Sequence, residues 1–376
     1  MQNVDYLIKN GHIIDPYQSK DYIGNLAISQ GKIVDCDHVK ANHVVDADGC
    51  LVTPGFIDFH THVACGVTEL GIPTDVSYLP TGVTTVVDAG SCGASNFDAF
   101  HTLMSTWKTR TKAFLYVGSG GLVTTAYPDN IDPSKYQENK ILQKLEQYPD
   151  ILGLKIRQGA ENAGEMGLEP LQRTIEIAEK AHCPVAVHIS NSPRPVVEIA
   201  RMLRPGDIFI HVYEGKGDTY IRSKEEVAEL REIQKKGVIF DCSNGNSHFC
   251  LEVAQFCLSE GLYPDIISTD NDIKSQYVPG KGFSLPFVMS KYITLGMDIK
   301  DIIRCVTTTP ARLIGEEKNL GSLCVGTCAD IAISRIVKHP VEYLDFRDTP
   351  LRGDTLIRTE MTFREGAPLY RQIEFI

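Results

Sequence analysis

ILGLKIRQGAENAGEMGLEPLQRTIEIAEKAHCPVAVHI (151–189) reads as strand, helix, strand. ILGLKI (151–156) and PVAVHI (184–189) are short apolar runs rich in β-branched residues, and EPLQRTIEIAEKAH between them spaces its apolar positions for one helical face. A strand that returns after a helix implies a parallel sheet. The rhythm continues outward in both directions, from Pro54 to about Gly315. The other strand-like runs are FIDFH (56–60), VTTVVDA (83–89), AFLYVG (113–118), DIFIHV (207–212), VIFDC (238–242) and DIISTD (265–270), with a second clear helix at SKEEVAELREIQKKG (223–237). Eight such units predict an α/β fold of the (β/α)8 TIM-barrel type, with a doubly wound sheet as the alternative.

Both chain ends have a different texture. YLIKNGHII, NLAIS, QGKIVDC and HVVDADGCLVTP alternate apolar and polar positions, with Asn10-Gly11 and Gln30-Gly31 as hairpin-type turns. GSLCVGTCADIAISRI and TLIRTEMTFREGAPLY near the other end look alike. These ends form either two small β units or one discontinuous domain, giving segments 1–53, 54–315 and 316–376.

Composition narrows the class. A formal net charge of −11 with no Lys/Arg-rich tract argues against a grip on nucleic acid. The apolar runs are too short for a membrane span, and MQNVDYLIKNGHIID lacks the charged head and apolar core of a signal peptide. Eleven scattered cysteines without a CxxC pair suit reduced thiols in a cytoplasmic protein.

The chemistry lies where the strands end. His60 and His62 close the first run; Lys155, His188 and His211 lie near the ends of the fourth, fifth and sixth; Asp270 closes the eighth. In a barrel the carboxyl ends of all strands share one rim, where active sites form. Five strands thus bring six candidate metal ligands to one mouth, and the period of two points His60 and His62 the same way. Singly, each histidine has an ordinary reading as a satisfied core residue, and Asp270 as a helix cap. Lys155 is harder to dismiss, since lysine is almost never buried without a partner. A buried neutral lysine is nucleophilic, and one that has reacted with carbon dioxide carries a carboxylate able to bridge two ions.

PGFIDFHTHV (54–63) resembles the amidohydrolase superfamily, in which an apolar strand ends in His-x-His. TGVTTVVDAG (81–90), GLKIR (153–157), TTPARLIG (308–315) and GSLCVGTCADIAI (321–333) extend the resemblance over nearly the whole chain. It is similar within that superfamily to bacterial proteins described as dihydroorotase-like, adenine-deaminase-like, or deacetylases of acetylated hydroxy and amino acids. The resemblance implies that His60, His62 and Asp270 hold a buried ion and His188 and His211 a more exposed one, with carboxylated Lys155 and a hydroxide bridging the pair. It also implies a small discontinuous β-sandwich built from both ends. DCSNGNSHF (241–249) departs from the pattern, with Asn244 where the family segment carries histidine.

Two divalent ions, zinc by the histidine ligands, then make a hydrolase in which Asp270 moves the proton. Arg157, Arg194 and His248 are candidate substrate contacts, the arginines as carboxylate grips unless they form ordinary salt bridges. The expected function is deacetylation of N-acetyl amino acids or O-acetyl hydroxy acids. Alternatives are opening of a cyclic amide, adenine deamination and a non-catalytic metal-binding scaffold. The expected partner is a small molecule with a carboxylate; barrels of this kind often assemble, so a homo-oligomer is also among the expected states.

Overall fold

The computed structural model describes residues 2–126 and 128–375. In chain order the strands are β1 (Gln2–Asp15), β2 (Lys20–Ser29), β3 (Lys32–Val34), β4 (Val39–Asp46), β5 (Leu51–Pro54), β6 (Phe56–Thr61), β7 (Val83–Asp88), β8 (Arg110–Tyr116), β9 (Ile151–Arg157), β10 (Val185–His188), β11 (Ile208–Ile210), β12 (Ile239–Asp241), β13 (Ile331–Leu344), β14 (Pro350–Arg364) and β15 (Ala367–Arg371). Strands β6 to β12 make a curled parallel sheet in sequential order. The helices read from sequence form at Glu169–Lys180 and Lys224–Lys235. The second starts at Ser223, whose hydroxyl accepts from the Glu226 amide while the Glu226 carboxylate accepts from the Ser223 amide.

The sheet has seven strands where eight runs were expected. DIISTD (265–270) does not form a regular strand: it makes one parallel bridge to β12, Asp241 to Ile266, and the next residue makes another to β6, Thr61 to Asn271. Asp270 sits at φ +54°, in the left-handed region, which interrupts extended pairing. The segment nonetheless links the two edges of the curl. A single apolar cluster takes Ile57, Phe59, Val87, Phe114, Ala186, Ile208, Ile210 and Ile239 from six strands, with Ile266 from the linking segment and Leu152 of β9 packed against it. The middle of the curl is filled with side chains, not open, as closely packed barrels require.

Strands from the two chain ends share one eight-stranded sheet, in the order β15-β14-β13-β5-β1-β2-β3 with β4 beside β1. The expected sandwich is one connected sheet in which β5 joins the N-terminal strands to β13. Gln30 and Gly31, at φ +50° and +75°, form the tight β2–β3 hairpin as expected. Asn10-Gly11 does not turn: it lies inside β1, at a shift of register against β2. Val52 explains why Gly11 is needed there, since a Cβ on Gly11 would meet the Val52 side chain at 2.4 Å. None of the helices among the described residues is long and apolar enough to cross a membrane.

Candidate metal centre and active site

His60 comes from β6, His62 from just beyond it, Lys155 from β9 and His188 from the end of β10. His211 follows β11 and Asp270 lies on the linking segment, both with left-handed backbones (φ +68° and +54°). Such conformations cost about 1–3 kcal/mol for non-glycine residues and concentrate where a side chain must be aimed. All six are brought together. Asp270 Oδ1 lies 3.3 Å from both His60 Nε2 and His62 Nε2, and its Oδ2 lies 4.0 Å from His211 Nε2. Lys155 Nζ is 3.4 Å from His60 Nε2, and His211 Nε2 is 2.9 Å from His188 Nδ1. With the exception of His211, which is fully buried behind His188, these residues line one cavity of about 490 Å³.

The outer hydrogen bonds fix which nitrogen of each ring is free. His60 Nδ1 donates to Asp241 Oδ2 at 3.3 Å, and His211 Nδ1 donates to the Ser243 carbonyl at 2.7 Å. Ser91 Oγ donates to Asp88 Oδ2 at 2.7 Å, so it accepts from His62 Nδ1 at 2.9 Å. In all three rings the Nε2 lone pair therefore points inward. Metal-binding histidines characteristically have their other N–H anchored in this way. His188 Nε2 is buried with no hydrogen-bond partner among the described residues. The donor set fits divalent cations, in two groups whose ligand atoms lie within 4.8 Å of one another: His60, His62 and Asp270, and His188, His211 and His248.

Electrostatics favour the same assignment. Burial holds His188 and His211 well below the ordinary histidine pKa, with their imidazole neighbours adding to the effect, so both are neutral donors. Burial pushes Lys155 down to about 7 despite the pull of Asp270 and Asp241. It is 1% exposed. Gly90, at φ +86°, makes room for it, because a Cβ there would meet Lys155 Cβ at 2.5 Å. G90A is expected to cost about 1–3 kcal/mol and to lower metal content; full metal loading at wild-type melting temperature would refute this account of Gly90.

The substrate-side candidates divide. Arg157 and His248 line the cavity. Arg157 also forms the salt bridge weighed as its alternative: Nη1 donates to Asp129 Oδ1 at 2.7 Å and Nη2 lies 4.0 Å from Glu161 Oε1. Arg194 does not line the cavity; it is half exposed and paired with Glu198 four residues on, the salt-bridge alternative. Asn244 is fully buried and accepts from Lys291 Nζ at 2.9 Å. It is not part of the cavity wall.

Lys291 was not anticipated, although a lone lysine in the apolar helix LPFVMSKYIT (285–294) was a signal for it. Burial lowers its pKa from 10.5 to about 7, and its ammonium lies 4.3 Å from the centre of the Phe249 ring. Below pH 7 both folded and unfolded chains carry the proton and the burial penalty is complete. Between about pH 7 and 10 the unfolded chain binds the extra proton, so stability rises with pH. K291M is expected to flatten that rise in melting temperature, and an unchanged slope would contradict the buried, deprotonating lysine.

Residues 51–354 match the Amidohydrolase family. The chain belongs to that family. A deacetylase of Agrobacterium fabrum is 32% identical over 305 residues, covering 80% of this chain and 74% of the relative. Two solved structures, one described as an adenine deaminase and one as a dihydroorotase, each align at a TM-score of 0.88 and 27% identity, covering 98% of this chain and 100% and 99% of theirs. This amidohydrolase is thus a hydrolytic enzyme of carbon–nitrogen bonds, from a family that generally binds divalent metals.

Proposed function

We propose that this amidohydrolase is a two-metal deacetylase of small carboxylate-bearing substrates, N-acetyl amino acids or O-acetyl hydroxy acids. The observation that carries the reading is the convergence of His60, His62, Lys155, His188 and Asp270 on one cavity whose wall also holds Arg157, with His211 buried against His188. In this reading 54–315 is the catalytic barrel, closed by the 265–270 segment, with 1–53 and 316–376 forming the flanking β domain. His60, His62 and Asp270 would hold one ion, and His188 and His211 the other, with zinc favoured by the imidazole ligands. Bound ions of this kind act as Lewis acids on a carbonyl and bring the pKa of water towards neutrality.

The remaining work falls to the protein's own groups. Neutral Lys155 would attack carbon dioxide: its nitrogen lone pair forms the N–C bond, one C=O pair moves onto oxygen, and the amine proton leaves to solvent. The resulting carbamate would add a second negative charge to that of Asp270, where the other four ligands are neutral imidazoles. Asp270, which faces the cavity, would accept the proton of the attacking water and hand it to the departing amine or alkoxide. Arg157 would orient the substrate carboxylate through its guanidinium, with the substrate displacing the longer 4.0 Å contact of Nη2 with Glu161. R157M is expected to raise KM for carboxylate substrates at least tenfold, the lower end for a lost charged hydrogen bond, with kcat little changed; an unchanged KM would remove Arg157 from recognition.

The reading is tested by assaying zinc-loaded enzyme, with metal counted per chain, against N-acetyl-D-amino acids, acetylated 2-hydroxy acids, dihydroorotate and adenine. Acetate release with two ions per chain is the expected result. Turnover confined to dihydroorotate or adenine would replace it with the cyclic-amide or deaminase alternative, and no turnover at all with the scaffold.

A further inference from the structure

We propose that His248, oriented by Glu214, is a third protein ligand of the more exposed ion, completing a three-histidine set with His188 and His211. This rests on the two-metal reading above but adds a residue that the His-x-His, lysine, histidine, histidine, aspartate set does not contain.

The case is geometric. His248 lies in the segment after β12, where its ring stacks on His211 at 4.0 Å between centroids and meets His188 edge-on at 5.0 Å. One nitrogen from each of the three rings falls within 4.8 Å of the others. His248 Nδ1 donates to Glu214 Oε2 at 3.0 Å and lies 2.6 Å from Ser190 Oγ, whose own hydroxyl donates to the same carboxylate oxygen. The Nδ1 proton is therefore fixed on the Glu214 side and the Nε2 lone pair faces inward, 3.7 Å from Asp270 Oδ2. That is the arrangement found at His60, His62 and His211. Among the described residues the one hydrogen-bond partner of Nε2 is the Ser247 hydroxyl at 3.2 Å, a rotor that can turn away.

Glu214 makes little sense as a structural residue. It is fully buried, three residues after His211, and among the described residues its carboxylate has no lysine or arginine partner. Burying a carboxylate is costly unless it is paired or hydrogen-bonded, and here its partners are His248, Ser190 and the Gly215 amide. A carboxylate that orients a histidine towards a cation is the usual outer partner of a ligand. Gly245, at φ +49°, keeps the approach clear, since a Cβ there would lie 2.9 Å from Asp270 Oδ2 and 3.1 Å from His248 Cδ2.

The test is metal binding, read independently of turnover. Full-length wild-type, H248A and E214Q proteins are stripped, reloaded with zinc, and compared by metal count per chain, chelator competition and the visible absorption of the cobalt-substituted forms. The expected result is that H248A loses or weakens the second ion, that E214Q weakens it about 10- to 100-fold, that the first ion is unaffected, and that the cobalt spectrum changes in both variants. E214Q is nearly isosteric, so it keeps the test decisive if H248A fails to fold. Two ions at wild-type affinity in both variants, with only KM raised, would overturn the assignment and leave the two-metal reading standing. A wild-type protein that holds a single ion would overturn both.

Discussion

Replacing Asp270 with asparagine is expected to lower kcat about 10²- to 10⁴-fold, the range for loss of a positioned proton carrier, while KM stays within a few-fold. The reasoning rests on what the substitution keeps and what it removes. Asparagine retains an oxygen towards His60 and His62, the same nitrogens that now lie 3.3 Å from the carboxylate. It removes the ability to take up a proton. A carboxylate at that position would start each cycle as the base. An effect on kcat without a matching effect on KM identifies an interaction made in the transition state. The variant's metal content must be measured with its kinetics, because Asp270 is also proposed as a ligand. D270N with two ions and near-normal kcat would assign the proton transfer elsewhere.

How much of this was legible in the sequence depends on the kind of signal each residue leaves. Strand ends are marked by short apolar runs, so His60, His62, Lys155, His188 and His211 could be placed at one rim before any coordinates were known. The eighth run misled as a strand because its composition is that of one; only the left-handed backbone at Asp270 shows that the chain is bent there to aim the carboxylate. Arg194 misled for a different reason. Its pairing with Glu198 is an ordinary surface contact between residues four apart, and charge type alone does not separate that from a substrate grip. The supporting groups Asp88, Asp129, Glu214 and Asp241 were not singled out. Each acts through a contact with a residue distant in the chain or hidden behind a ligand, and no periodicity encodes such contacts.

Lys155 carries the second large expectation. K155A should lower kcat at least 100-fold, since losing about 3 kcal/mol of electrostatic stabilisation corresponds to roughly two powers of ten, and metal content should fall with it. Wild-type enzyme stripped and reloaded in carbon-dioxide-free buffer should be similarly impaired and recover on adding bicarbonate, whereas K155A should ignore bicarbonate. The structure makes the modification chemically accessible: burial brings the amine to about 7, so a large share is unprotonated near neutrality. It also gives the modification a reason. An ammonium 3.4 Å from His60 Nε2 would oppose any cation bound by that nitrogen, whereas a carbamate would attract it. Reaction with carbon dioxide would exchange a group hostile to metal beside His60 for one that helps hold it. The modified lysine should appear as a new carbonyl resonance when the protein is loaded under ¹³C-labelled carbon dioxide, and that signal should be absent in K155A. Full activity and two ions without bicarbonate, with no labelled carbon on the protein, would mean that Lys155 stays a free amine and that the charge on the ions is balanced by something else.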